Sequence, residues 1–177
     1  MSSVAALVLA AAACTPDYNW RQVGPVDAAA QVLLPARPAS MSRTVDLDGL
    51  SVEMSMEGAR VGEQVFTLAW VVLPDSSPAT GGQALVAMAA GMLRNIDARD
   101  IVRREHEVAV VDASGTRVAS YPALAVVARG DRPAAGTGMR AIFVTRGDRA
   151  WQAVAMGSPL DDEAAATFLA SFAIRQP

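Results

Sequence analysis

Val65-Phe66-Thr67-Leu68-Ala69-Trp70-Val71-Val72-Leu73 is a nine-residue run with a single polar member, Thr67. A continuous apolar run of this length, rich in β-branched and aromatic side chains, reads as a central strand buried on both faces. Pro74 to Gly82 is polar and rich in Pro and Gly, and reads as a loop. From about Gln83 to Ile96 the period changes. Leu85, Met88, Ala89, Met92, Leu93 and Ile96 recur at helical spacing, so one stripe of an α-helix faces a core. Gly91 sits inside that helix, where it costs about 1 kcal/mol relative to Ala unless it permits close packing.

Upstream of this stretch, Val32-Leu33-Leu34-Pro35-Ala36-Arg37-Pro38 is apolar but carries prolines, which demote it to an edge segment. Ser42 to Leu47 alternates, Asp48-Gly49 signals a tight hairpin turn, and Leu50, Val52, Met54 and Met56 share the inner face of a partner strand. Glu57 to Gly62 reads as a second turn region. Downstream, Ile101 to Val111 is a long strand with a charged first half, Asp112 to Gly115 a turn, and Val118 to Arg129 a strand interrupted near Pro122. Asp131 to Gly138 reads as a loop. Arg140 to Thr145 and Trp151 to Met156 form a hairpin through Gly147-Asp148-Arg149. The last helix starts at an Asp161 N-cap, with Asp162 and Glu163 favourable at its positive end and Phe168, Leu169, Phe172 and Ala165 facing inward. Runs of strands with one long crossover helix and a terminal helix indicate an α+β fold, an antiparallel sheet of about six to seven strands.

The chain has 177 residues, enough for one domain, and 52% of them are hydrophobic. Thirty-six are Ala, and the larger apolar side chains still supply one sizeable core. All 15 basic residues are Arg. Without Lys there is no P-loop, no Schiff-base lysine and no Ser-x-x-Lys nucleophile. A net charge of −3 with dispersed Arg argues against a nucleic-acid partner, which needs a clustered basic face.

Val4 to Ala13 is apolar at all ten positions and runs directly into Cys14, the sole cysteine. A spanning helix needs about 20 residues, whereas ten is the length of a signal-peptide core. The segment Ala11-Ala12-Ala13-Cys14 resembles the lipobox of bacterial lipoproteins, although no Arg or Lys precedes it and Ala11 stands where that family prefers Leu. The resemblance implies that residues 1–13 are a signal peptide, that Cys14 is the lipid-attachment residue, and that fatty acyl chains on it anchor the protein in the membrane of the bacterial envelope. Thr15 in place of Asp implies sorting to the outer membrane, facing the periplasm. The competing reading is a buried N-terminal helix with a free thiol. Residues 14–31, with Pro16, Gly24 and Pro25, read as a lipidated tether on which Trp20 either docks or hangs free, with a short helical turn at Val26–Gln31, and residues 32–177 as the folded domain.

Leu34-Pro35-Ala36-Arg37-Pro38, the strand Phe66 to Pro74, Tyr121-Pro122-Ala123, the Arg140–Met156 hairpin and the closing Phe168-Leu169-Ala170-Ser171-Phe172 together resemble the PsbP-like fold over about residues 32 to 175. Ser120 stands where bacterial relatives tend to carry Gly. The resemblance implies an antiparallel sheet sandwiched by helices, and no shared catalytic residues.

Candidate chemistry is sparse. His106 is the sole histidine and lies between Glu105 and Glu107 in a strand, so its side chain points away from theirs. Arg103, Glu105 and Glu107 form a solvated ladder on one face. One His and a lipidated Cys leave no Cys-His pair and no His-rich zinc site, and no Gly-x-Ser-x-Gly elbow is present. Asp46 and Asp48 read as turn residues, Asp161 to Glu163 as a cap, and Gly81-Gly82 as a loop spacer. Met54, Met56, Met88, Met92, Met139 and Met156 sit at core periodicities and read as core filling. Trp70 and Trp151 read as core or sheet-face residues. No catalytic residue, metal or cofactor is expected. The expectation is a non-catalytic, membrane-anchored envelope lipoprotein that acts as a protein-binding or assembly accessory. The rival expectation is a periplasmic small-ligand-binding module with a pocket between sheet and helix. A weaker third is a hydrolase that uses carboxylates alone.

Overall fold

The computed structural model of the chain describes residues 18–176. The expected signal peptide at 1–13 and the expected lipid-attachment residue Cys14 lie outside the described residues. The strands are β1 (Arg21–Val23), β2 (Ala30–Leu34), β3 (Ala39–Asp46), β4 (Ser51–Val61), β5 (Gln64–Val72), β6 (Ala98–Val111), β7 (Arg117–Gly130), β8 (Thr137–Arg146), β9 (Arg149–Gly157) and β10 (Ala173–Arg175). Helix α1 (Pro78–Asn95) follows β5 and helix α2 (Asp162–Ala170) follows β9. The fold is α+β, with one open sheet in the order β1-β2-β10-β6-β7-β8-β9-β5-β4-β3. All its pairs are antiparallel except β10 with β6.

The sheet has ten strands rather than six to seven. Two of the additional members, β1 and β10, have three residues each, too few for a readable alternation. The segment expected as a tether is part of the fold over residues 18–31. Ala28 and Ala30 are buried, β1 pairs with β2, and Val26 to Ala29 forms a single turn. Trp20 docks: its ring stands 6.3 Å from Phe66, edge to face, and Phe66 in turn meets Phe168 at 5.6 Å.

Strand β5 is buried on both faces. Phe66, Leu68 and Trp70 join one core with Trp151, Phe168 and Ile174, and Ala69 and Val71 join a second core with Met88, Leu93 and Phe143. Helix α1 covers the second core by crossing β9, β8 and β7 on its way from β5 to β6. It begins five residues earlier than the sequence period shows. Ser77 caps it, its Oγ accepting from the Thr80 amide at 3.2 Å, and Pro78 takes the first helical position. Gly81 and Gly82, read as a loop spacer, are therefore helical.

Two further boundaries differ from the sequence reading. Strand β4 continues through Glu57–Val61 and turns only at Gly62-Glu63, because its pairing with β5 extends from Met54 to Val61. Gly58 in that stretch has no room for a side chain: a Cβ would stand 2.9 Å from the Phe66 carbonyl. Strand β7 runs uninterrupted through Pro122. Pairing with β8 begins only at Leu124, so a residue without an N–H is tolerated there on the unpaired side. The hairpin turns form as expected, Asp48 and Gly49 both adopting positive φ (59° and 92°).

The Trp151 indole N–H donates to the Ala28 carbonyl at 2.6 Å inside the core. Trp151→Phe removes this donor and leaves a buried carbonyl without a partner, which costs about 1–3 kcal/mol. The expected result is a lower urea midpoint in one cooperative transition. An unchanged midpoint would show that residues 18–31 are not held by this bond.

Candidate functional site

His106 is exposed on β6 and shares a sheet face with Ala123, its register partner, opposite to Glu105 and Glu107. Glu107 accepts from Ser120 at 2.9 Å and lies 3.5 Å from Arg117, in solvent. Asp46 accepts from the Gly49 amide at 2.9 Å and so serves its hairpin turn. Trp70 and Trp151 are core residues, and Met54, Met88 and Met139 are buried. Among the described residues, no three His, Cys, Asp or Glu side chains gather to hold a metal ion. No helix among them is long and apolar enough to cross a membrane.

The first candidate region lies beside α2. Asp161 caps the helix, its Oδ1 accepting from Glu163 and Ala164 at 2.9 and 3.0 Å. Its Oδ2 accepts from the Tyr18 hydroxyl at 2.8 Å, and its own amide donates to Gln64 Oε1 at 2.8 Å. The Ala164 amide above all, then the Tyr18 hydroxyl, hold the Asp161 carboxyl below its ordinary pKa. A mostly apolar groove of about 260 Å³ runs along this helix. Ala125, Val127 and Ile142 form its floor, Ala166 and Leu169 its wall, and His106 stands at one end. Arg140 at the other end is paired with Asp162 at 2.9 Å.

The second region lies on the opposite face, under α1. A cavity of about 160 Å³ opens between the helix and the β3–β4 hairpin. Met54, Met88 and Met92 line it, Arg43, Asp46 and Arg94 stand at its rim, and Gln152 forms part of its floor. Gln152 is 7% exposed, within the second core. Sequence reasoning passed over this residue. The signal was present as the only polar side chain between Ala150 and Met156. Alternation places it on the same face as Phe143 and Ala69, its register partners, hence inward.

The third region is the β6–β7 ribbon. Strand β10 pairs with β6 only from Ala109 to Val111, so the β6 edge from Ala98 to Val108 has no partner strand among the described residues. Its middle is exposed on both faces from Val102 to Glu107. Val102 is 47% exposed, and Val127, Val118 and Tyr121 on β7 are also open to solvent. The Tyr121 ring carries the Arg146 guanidinium at 5.4 Å. None of the three regions is lined by a pair of carboxylates facing each other.

The α2 cap gives a pH-dependent prediction. Because the folded-state pKa of Asp161 is lowered, its ionised form contributes stability above the unfolded value of about 3.9, and that contribution is lost as pH falls through the folded value. Asp161→Ala should therefore cost about 1 kcal/mol at neutral pH, and the gap from wild type should narrow below the ordinary carboxylate range. Urea midpoints across the acid range check this; a gap that widens on acidification would contradict it.

No protein-family model matches the chain, and no curated protein and no solved structure matches it.

Proposed function

We propose that the protein is a non-catalytic lipoprotein of the bacterial envelope, anchored through acyl chains on Cys14 in the outer membrane and acting as a protein-binding accessory in the periplasm. The observation that carries the binding half of this reading is the β6 edge, unpaired among the described residues. A strand edge with free N–H and C=O groups is a template on which an extended segment of a partner adds as a further strand. Arg103, Arg104, Glu105 and Glu107 along this edge deter indiscriminate pairing, so the partner segment must bring complementary charge. The anchoring half rests on the Val4–Cys14 sequence, and the kinship proposed is with PsbP-like proteins. Since residues 18–31 are docked, the four-residue step from Cys14 to Tyr18 reaches at most about 14 Å. The domain then rides close to the lipid surface rather than on a long leash.

A second reading is favoured by one specific observation, the inward Gln152 beside the cavity under α1, which supports a small-ligand-binding module.

The tests are separate for the two halves. Intact mass of the membrane-extracted protein should show acyl chains on the wild type and none on Cys14→Ala; an unmodified wild type ends the anchor. A photo-crosslinking residue at Val102 or Arg104 should yield a discrete adduct in the native envelope, and one at Val86, exposed on α1, should not. Equal yields at all three positions would remove the β6 edge as the docking site.

A further inference from the structure

Gln152 carries a cost that the fold does not require. Its amide has no hydrogen-bond partner among the described residues, although the residue lies within the second core. Among the described residues no fully buried polar side-chain atom is left without a partner, so this amide keeps its access to the open space of the cavity. An apolar residue at this position would avoid the penalty of a half-desolvated amide.

Gly91 points the same way. It lowers the stability of α1 without serving close packing: a Cβ there would meet only Arg94 Nη2, at 3.9 Å. The missing side chain leaves room along the cavity wall. The lining also holds the adaptable thioethers of Met54, Met88 and Met92, with Val45, Leu47 and Ala87 beside them, and Asn95, whose amide donates to the Met92 sulfur at 3.7 Å. The rim carries two guanidinium groups, Arg43 beside Met54 on β3 and Arg94 on the last turn of α1. Neither has an ion-pair partner among the described residues. The single carboxylate at the rim, Asp46, is already engaged by the Gly49 amide.

We propose that the cavity under α1 binds a small organic monocarboxylate, its apolar body against the three methionines and its carboxylate held by the Gln152 amide and the Arg43 and Arg94 guanidiniums. This rests on the small-ligand reading above and specifies its ligand class. A cavity of about 160 Å³ leaves room for a short aliphatic body. A carboxylate accepts from the Gln152 NH₂, and charge-assisted bonds from Arg are the stronger kind at the rim.

The test uses the full chain, labelled with nitrogen-15, and hexanoate as the probe. Hexanoate should move the Gln152 side-chain amide resonances in a saturable way, and acetate, which lacks the body, should bind far more weakly. Gln152→Leu should lose about tenfold in hexanoate affinity, the effect of one hydrogen bond to a charged group, while its thermal midpoint holds or rises. The surface double variant Arg43→Gln/Arg94→Gln keeps the core intact. It should weaken hexanoate about tenfold and leave hexanol unchanged. If hexanol binds as tightly as hexanoate, or the double variant binds hexanoate like wild type, the anion assignment is overturned and the cavity reading survives. If no probe perturbs the Gln152 resonances at millimolar concentration, both fall.

Discussion

Burial of β5, β9 and β8 on both faces is the constraint from which the rest of the molecule follows. A strand apolar on two sides needs two covers, and each cover has to bring its own apolar stripe. Helix α1 supplies one by crossing three strands with eighteen residues. Helix α2 has nine residues, about 13 Å of axis, and cannot cover the other face alone. The chain meets the shortfall by curling the β2–β10 end of the sheet over the same core. Ala28, Ala30, Val32 and Leu34 thereby join Phe66, Trp151 and Phe168. The buried bond from Trp151 to the Ala28 carbonyl and the Tyr18–Gln64–Asp161 network fasten this flap to the sheet and to α2.

The same geometry explains where the surface is left open. The helices follow the nine-residue strands β5 and β9, whereas β6 and β7 run for fourteen residues each and outlast both covers. Their middle section is a two-stranded ribbon with one edge unpaired among the described residues. Under α1 the helix and the β3–β4 hairpin meet only partly, and the residual space collects Met side chains, a helical glycine and an inward glutamine. Both regions lower stability locally: an open edge forgoes pairing, and an amide without a partner forgoes its hydrogen bond. Such local losses accumulate at binding surfaces, and this bears on where a ligand or partner is sought.

Much of the architecture is legible in the amino-acid sequence. Residues 65–73 declare a doubly buried strand, residues 83–96 a helix with one apolar stripe, Asp48-Gly49 a tight hairpin turn, and Asp161 a helix cap. These signals are local, carried by a handful of neighbouring residues whose period or torsion preference suffices. The missed elements share the opposite property. Strands β1 and β10 have no period of their own and exist because β2 and β6 offer them an edge. The Ser77-Pro78 cap was written in the chain, yet the Gly81-Gly82 pair behind it concealed the helix start, since helix propensity yields to packing against Thr145.

The candidate sites divide along the same line. The amino-acid order alone determined the α+β class and the two helices with their apolar faces, because hydrophobic period and torsion preference act between near neighbours. Only the tertiary structure decided that residues 18–31 belong to the domain and that the β6 edge from Ala98 to Val108 has no partner strand among the described residues. It alone placed Gln152, Gly91, Arg43 and Arg94 around one cavity. Those positions lie on three separate elements, and long-range pairing, which no local pattern encodes, brings them together.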